Sequence, residues 1–220
     1  MTEMAISIIL PTLILKKLSG DEDLGATLAL IFALSLPLGY GIFQFIQEKK
    51  VGFVPALGFI SILLTGSIGL LELDAKYIAI KEALIPLVIG IATIVSIKTP
   101  YPLVRTFIYN DMVLQVDKVD TALENQHSRD AFDRTLVKAT YMLASSFFLS
   151  ATLNYALAKF IVTAQSGSAE FNDQLGTMNL LSYPVIVLPC MVIMIATLFY
   201  LFKQIEKLTG LKFEELLNEQ

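Results

Sequence analysis

The chain has 220 residues, of which 55% are hydrophobic and 16% charged, with 16 Lys and Arg against 20 Asp and Glu. A soluble domain carries roughly 25% charge, so this composition excludes an ordinary water-soluble fold and points to an integral membrane protein. One Cys and one His exclude an intrachain disulfide and a zinc site of the usual kind, which needs several nitrogen or sulfur ligands. No Gly-rich phosphate loop, nucleophile elbow or basic run directs the reading to nucleotides, acyl transfer or nucleic acid.

The N-terminus, MTEMAIS, has an acidic residue and no basic start, and Lys16 and Lys17 follow the apolar stretch. The segment is therefore expected to be retained and not cleaved as a signal peptide. Its apolar part, Met4–Leu15 with Pro11 inside, covers only about 18 Å as a helix, against a hydrocarbon core of roughly 30 Å. It either crosses with its lysines at the interface or forms a re-entrant or broken helix.

A second span is expected over Leu24–Ile46, with Pro37, Gly39 and Gly41 in its middle. Proline frees backbone carbonyls there, and the glycines leave room for a neighbouring helix or a ligand. The third span, Phe53–Leu71, carries Gly58, Gly66 and Gly69, small residues that let membrane helices approach closely. The fourth, Tyr77–Ile97, has Asp74 as a candidate N-cap and ends before Pro100 and Pro102.

The character then changes. Residues 101–134 are charged and hold no span, but Val104, Phe107, Ile108, Met112, Val116, Val119 and Leu123 recur at helical spacing. They predict an amphipathic cytoplasmic helix on the membrane surface or packed beneath the bundle, with docking of a partner as the alternative. QHSRD at 126–130 reads as a turn, with Ser128 as a candidate cap. The fifth span is expected over Leu136–Val162, followed by a polar connection at Gln165–Gly176. The sixth, Met178–Phe202, is expected to be broken by Pro184 and Pro189, and 204–220 forms a short amphipathic tail.

The resulting organisation is an all-α, polytopic membrane helical bundle of five to six spans. Helices one to four lie within 1–100, the cytoplasmic segment is 101–134, helices five and six lie within 135–203, and a cytoplasmic tail follows. With both termini cytoplasmic and six crossings, the inner segments hold Lys49, Lys50, Lys98, Arg105, Lys118, Arg129, Arg134, Lys138, Lys203, Lys207 and Lys212. The outer ones hold Lys16, Lys17 and Lys76, which satisfies the positive-inside rule.

Polar residues within the spans are the candidates for function. Lys81 and Glu82 lie in the outer part of the fourth span. Neighbours on a helix point about 100° apart, so each is expected to find its partner on another helix. Lys16, Lys17, Lys159 and Asn154 are the candidates at that depth, and Glu82 with one of the lysines would make an interhelical pair. Three roles are open for the couple: headgroup contacts at the interface, an ion pair that fixes packing, or a polar cavity that binds a ligand on the outer side. Asn154 is expected to hydrogen-bond a neighbouring helix, and Asn179 and Tyr183 to anchor the interface. Prolines within the apolar segments, such as Pro11, Pro37, Pro184 and Pro189, suit a transporter, whose binding sites adjoin broken helices, and equally a bundle without transport.

Four stretches carry a family resemblance: IILPTLILKKLSG, ATLALIFAL, DAKYIAIKEALIPLVIGIATIVSIKTPYPLVRTF and LVKATYMLASSFFLSATLNYALAKF. The arrangement resembles the bacterial intracellular septation protein A (YciB/IspZ-like) family and its uncharacterised inner-membrane relatives. The resemblance covers most of the chain, and Asn110–Arg134 is longer and more charged than in the septation proteins. It implies a multi-pass protein of the bacterial inner membrane, without enzymatic activity or cofactor, that serves cell-envelope biogenesis or division through contacts with other membrane proteins. Lys81, Lys98, Pro100, Arg105 and Asn154 are the matching positions, and no catalytic role comes with them. The alternative is a transporter or binder of a lipid or small amphiphilic anion. The expected partners are the bilayer, other membrane proteins and a lipid ligand, with no nucleic acid.

Overall fold

A computed structural model describes residues 9–48, 53–99, 104–105 and 115–212. Every regular element among them is helical: α1 (Leu10–Lys17), α2 (Gly25–Glu48), α3 (Phe53–Leu70), α4 (Lys76–Ser96), α5 (Val116–Asn125), α6 (Arg129–Ile161), α7 (Ala169–Ser182), a π-helical turn (Tyr183–Val187) and α8 (Leu188–Thr209). Four stretches are long and apolar enough to cross a membrane: Gly25–Phe43, Lys76–Ser96, Arg129–Ile161 and Ala169–Thr209. Gly58–Leu70 is apolar but shorter. Large apolar side chains such as Phe32, Ile60, Leu84, Phe160, Val192 and Phe199 are exposed. In water such a surface would drive association; facing lipid it needs no partner. The chain is thus an all-helical protein whose surface and helix lengths fit a multi-pass membrane protein.

The chain divides into two compact units, Met1–Ile85 with Ala151–Val187, and Pro86–Ser150 with Leu188–Gln220. In the first, α1 packs against α7 and α2, and α2 against α3. Leu15, Leu30, Ala33, Ile68, Ile78, Ala158, Phe171 and Leu175 form its core. Two glycines make the close approaches. A methyl group at Gly69 would collide with Leu30, and one at Gly176 would lie 2.8 Å from the Lys16 stem and 3.3 Å from the Thr12 carbonyl. Gly39, Gly41 and Gly58, by contrast, face open space.

In the second unit the amphipathic stripe is buried. Val104, Val119 and Leu123 join Phe132, Leu136, Ala139, Leu201 and Ile205 in one core. The α5 stripe is therefore packed within its unit; Phe107, Ile108 and Met112 lie outside the described residues.

Several expectations need correction. The polar connection at Gln165–Gly176 is mostly helix: α7 starts at Ala169, where the Ser168 hydroxyl accepts from the Phe171 amide at 3.1 Å. Phe171, Leu175 and Met178 at helical spacing bury one face of that turn-rich sequence. The fifth span begins at Arg129, before the expected Leu136, because charge at a helix start needs no lipid and the stripe Phe132–Leu136–Ala139 continues the apolar face outward. Ser128 does not act as a side-chain cap; its hydroxyl donates to the Leu208 carbonyl at 2.9 Å, tying the end of α8 to the α5–α6 turn. Pro184 and Pro189 do not break the last helix. The π turn at Tyr183–Val187 absorbs the lost hydrogen bonding and α8 resumes at once. The tail expected from 204 begins as the end of α8, with Ile205 buried, and 213–220 lies outside the described residues. Likewise Pro100 and the 4–8 part of the first segment lie outside them, whereas Leu10–Lys17 is a helix that includes both lysines.

Asp74 stands two residues before α4, one position outside the N-cap expected of it, and its Oδ1 accepts from the Lys76 amide at 2.9 Å in an Asx turn that leads into the helix. That amide, and then the Lys76 ammonium, hold the Asp74 carboxyl below its ordinary 3.8. A depressed folded-state value contributes stability that is complete above the unfolded value and is lost as pH falls through the folded one. Asp74→Ala should therefore lower thermal stability slightly at neutral pH, with the difference from wild type closing below about pH 4. Asp74→Asn, which keeps the acceptor, should sit between them in the same melting curves.

Candidate functional site

The first unit holds a half-open cavity of about 680 Å³, within the size range of sites that take a small organic ligand. Its walls come from α1, α2, α3, α4 and the α7–π segment. Leu15, Leu30, Leu34, Pro37, Phe59, Ile62, Leu175, Met178 and Val187 make most of the lining apolar, while Lys81, Glu82, Ser61, Thr65, Asn179 and Ser182 are polar. Along α2 the cavity follows the wall from Leu30 to Gly41, about 16 Å of helix.

The polar wall is built from α3 and α4. Ser61 and Thr65 stand four residues apart and so share one face of α3. The Thr65 hydroxyl donates its hydrogen to the Ser61 carbonyl at 3.0 Å, which leaves its oxygen lone pairs for a donor. Lys81 supplies that donor. Its ammonium reaches Thr65 Oγ1 at 2.7 Å, Ser61 Oγ at 3.1 Å and Glu82 Oε1 at 2.7 Å. Lysine has three N–H groups, so each has an acceptor. The Lys81 side chain is 6% exposed and that of Glu82 24%.

This overturns one expectation. Lys81 and Glu82 are each other's partners, although their Cβ atoms diverge by about 100°. Two long side chains bend back across that angle, and with Ser61 and Thr65 gripping Lys81 from α3, no second carboxylate is required. Glu82 therefore does not pair with Lys16, Lys17 or Lys159. Lys16 instead pairs with Asp173 at 3.0 Å and donates to Thr177 Oγ1 at 2.7 Å, and Lys159 lies 5.7 Å over the Tyr155 ring. Lys16, Lys17, Lys159 and Asn154 are not on the cavity lining, whereas Pro37, Gly41, Asn179 and Tyr183 are. Gly39 faces open space beside it in sequence, Pro184 sits in the π turn, Lys98 is exposed, and Arg105 is half-buried.

Sequence reasoning passed over three polar residues that matter. Ser61 and Thr65 carry a readable signal, two hydroxyls at i and i+4 in an apolar span. Asn172 was hidden in the supposed connection. It is fully buried, and its amide donates to Ser19 Oγ at 3.0 Å and to the Ala26 carbonyl at 2.7 Å. It thus holds the turn between α1 and α2 against α7. Its neighbours Phe171, Leu175 and Met178 give a helical stripe that could have exposed it.

Among the described residues, no group of three or more His, Cys, Asp or Glu is placed to hold a metal ion. No family model, curated protein or solved structure matches the chain. The class that fold and site define is an all-helical protein with membrane-length helices and a half-open, largely apolar cavity that carries polar groups on α3, α4 and α7.

Proposed function

We propose that this is a non-enzymatic, multi-pass protein of the bacterial inner membrane that binds or carries an amphiphile in the cavity of its first unit. Five or six segments enter the bilayer, with α3 as a short crossing and α1 crossing or re-entering beside α7. Both termini are cytoplasmic, as the distribution of Lys and Arg requires, and the Lys81–Glu82 pair lies toward the outer side.

The observation that carries this reading is the lining: a long apolar stretch for a hydrocarbon body, with polar groups for a head group on α3, α4 and α7. A cavity of this size and polarity, open to hydrocarbon-soluble molecules, suits a lipid-like ligand better than a water-soluble one. The alternative from the family resemblance, a contact protein of envelope biogenesis, relies on the 101–134 segment to meet partners. Val104, Val119 and Leu123 of that segment are buried in the core of its own unit, which favours the cavity.

The test is native mass spectrometry of the protein released from nanodiscs of phosphatidylethanolamine and phosphatidylglycerol that also contain diacylglycerol, so that phosphate and uncharged head groups are both on offer. One retained amphiphile per chain is expected. Ile62→Trp, which fills the cavity, should abolish retention, while Leu63→Trp, on the exposed face of the same helix, should not. No retained amphiphile, or equal retention by the Ile62 variant, would overturn the reading.

A further inference from the structure

We infer that the cavity selects an amphiphile whose head is an uncharged hydrogen-bond donor, an alcohol or amide, over one whose head is a carboxylate or phosphate. This rests on the cavity binding an amphiphile, and it replaces the anionic head group that a lysine in a span first suggests.

The hydrogen-bond inventory decides it. The Lys81 ammonium has acceptors for each of its protons in Ser61, Thr65 and Glu82. An anionic head would have to displace one of them. Displacing Glu82 would leave a carboxylate without its cation beside a second negative charge, and the two would repel. Displacing Thr65 or Ser61 would trade a satisfied lysine for a hydroxyl that has lost its donor.

Glu82 is in the opposite position. An ionised carboxylate offers about four acceptor sites, and Lys81 takes one of its oxygens. Its side chain is the more open of the two, at 24% against 6%. The spare acceptor capacity on the cavity wall therefore belongs to Glu82, and what it lacks is a donor. Lys81 and Glu82 are the charged residues of the lining, and their charges cancel, so the wall presents no net field that would draw an ion of either sign. A cationic head would meet the Lys81 ammonium beside the same carboxylate. A quaternary ammonium would also bring no N–H. An uncharged O–H or N–H satisfies Glu82 without removing any existing contact. Asn179, which can donate as well as accept, also lines the cavity and does not discriminate between heads.

The experiment compares probes with one tail and different heads: dodecanol, dodecanamide, dodecanoate and dodecyltrimethylammonium. Binding to the purified native chain is measured by thermal shift and native mass spectrometry at about pH 8, where the carboxylate probe is ionised. The alcohol and amide should bind at least about tenfold tighter than dodecanoate and the ammonium, and Ile62→Trp should remove their binding. Dodecanoate binding as tightly as dodecanol on the native chain, blocked by Ile62→Trp, overturns the head-group assignment and leaves the cavity reading standing. If no probe is sensitive to Ile62→Trp, the cavity reading falls and this inference with it.

Glu82→Gln supplies a second arm. It keeps an amide oxygen for Lys81 but removes the negative charge, so the lining carries a net positive charge, and it should bring dodecanoate to within about threefold of dodecanol; an unchanged preference for the alcohol would overturn the role given to Glu82. A diacylglycerol placed in the nanodisc distinguishes two sources of the same chemistry. If dodecanol fails to displace it, the ligand is a bilayer lipid. If dodecanol displaces it, the ligand is a single-chain solute.

Discussion

Lys81→Met should destabilise the protein by about 3 kcal/mol, and adding Glu82→Leu should recover most of that loss. Removing one member of a buried pair leaves the other charged and unpartnered, which costs more than the pair itself contributes. The expected value is at the low end of the usual range because Glu82 is partly open, at 24% exposure, and is not a fully buried charge. Lys81→Met also strips the donor from Thr65 and Ser61, whose oxygens accept at 2.7 and 3.1 Å. Their loss weighs less than that of the carboxylate, because a neutral hydroxyl costs less to leave without a donor than a charge does and Thr65 keeps its bond to the Ser61 carbonyl. Equilibrium unfolding in detergent micelles, arranged as a double-mutant cycle, reads both effects. A double variant that is less stable than Lys81→Met would show that the pair does more than neutralise itself.

Phe132→Ala is the second large effect, about 3–5 kcal/mol. Phe132 has no exposed surface, and it sits among Val119, Leu123, Leu136 and Ile205. These neighbours come from α5, α6 and α8, so the cavity left behind cannot close by moving a single side chain. Phe199→Ala on α8, at 68% exposure, should change stability by less than about 0.5 kcal/mol. The pair separates core packing from the general loss of an aromatic. Protection of the α5 amides from hydrogen exchange should fall with Phe132→Ala and stay unchanged with Phe199→Ala.

The helices were legible in the sequence where hydropathy alone decides them. The α2, α3 and α4 spans fall within two residues of expectation at most ends, because a run of Leu, Ile and Phe between charges has few other solutions in lipid. The buried stripe of α5 was legible for the same reason of period. What was not legible was polar helix, as in Ala169–Gly176, where Glu170, Asn172, Asp173 and Gln174 mask the spacing of Phe171 and Leu175. The pairing of Lys81 with Glu82 was misread because the argument used Cβ directions, while the contact is made by the ends of long side chains. The cavity was half legible. Lys81, Glu82, Pro37 and Gly41 mark it in the sequence, but the neighbours of a residue on another helix cannot be counted from spacing within one. Whether Lys159 and Asn154 joined it depended on helix rotation, which composition does not encode.

The contacts of α1 bear on how the chain is made. Lys16 meets Thr177 across 161 residues of sequence, and Asn172 meets Ser19 across 153. During synthesis from the N-terminus, the first helix can meet α2 early but must wait for α7 until most of the polypeptide has left the ribosome. Its last docking step closes the first unit, so the ligand chamber is completed late, when α7 arrives.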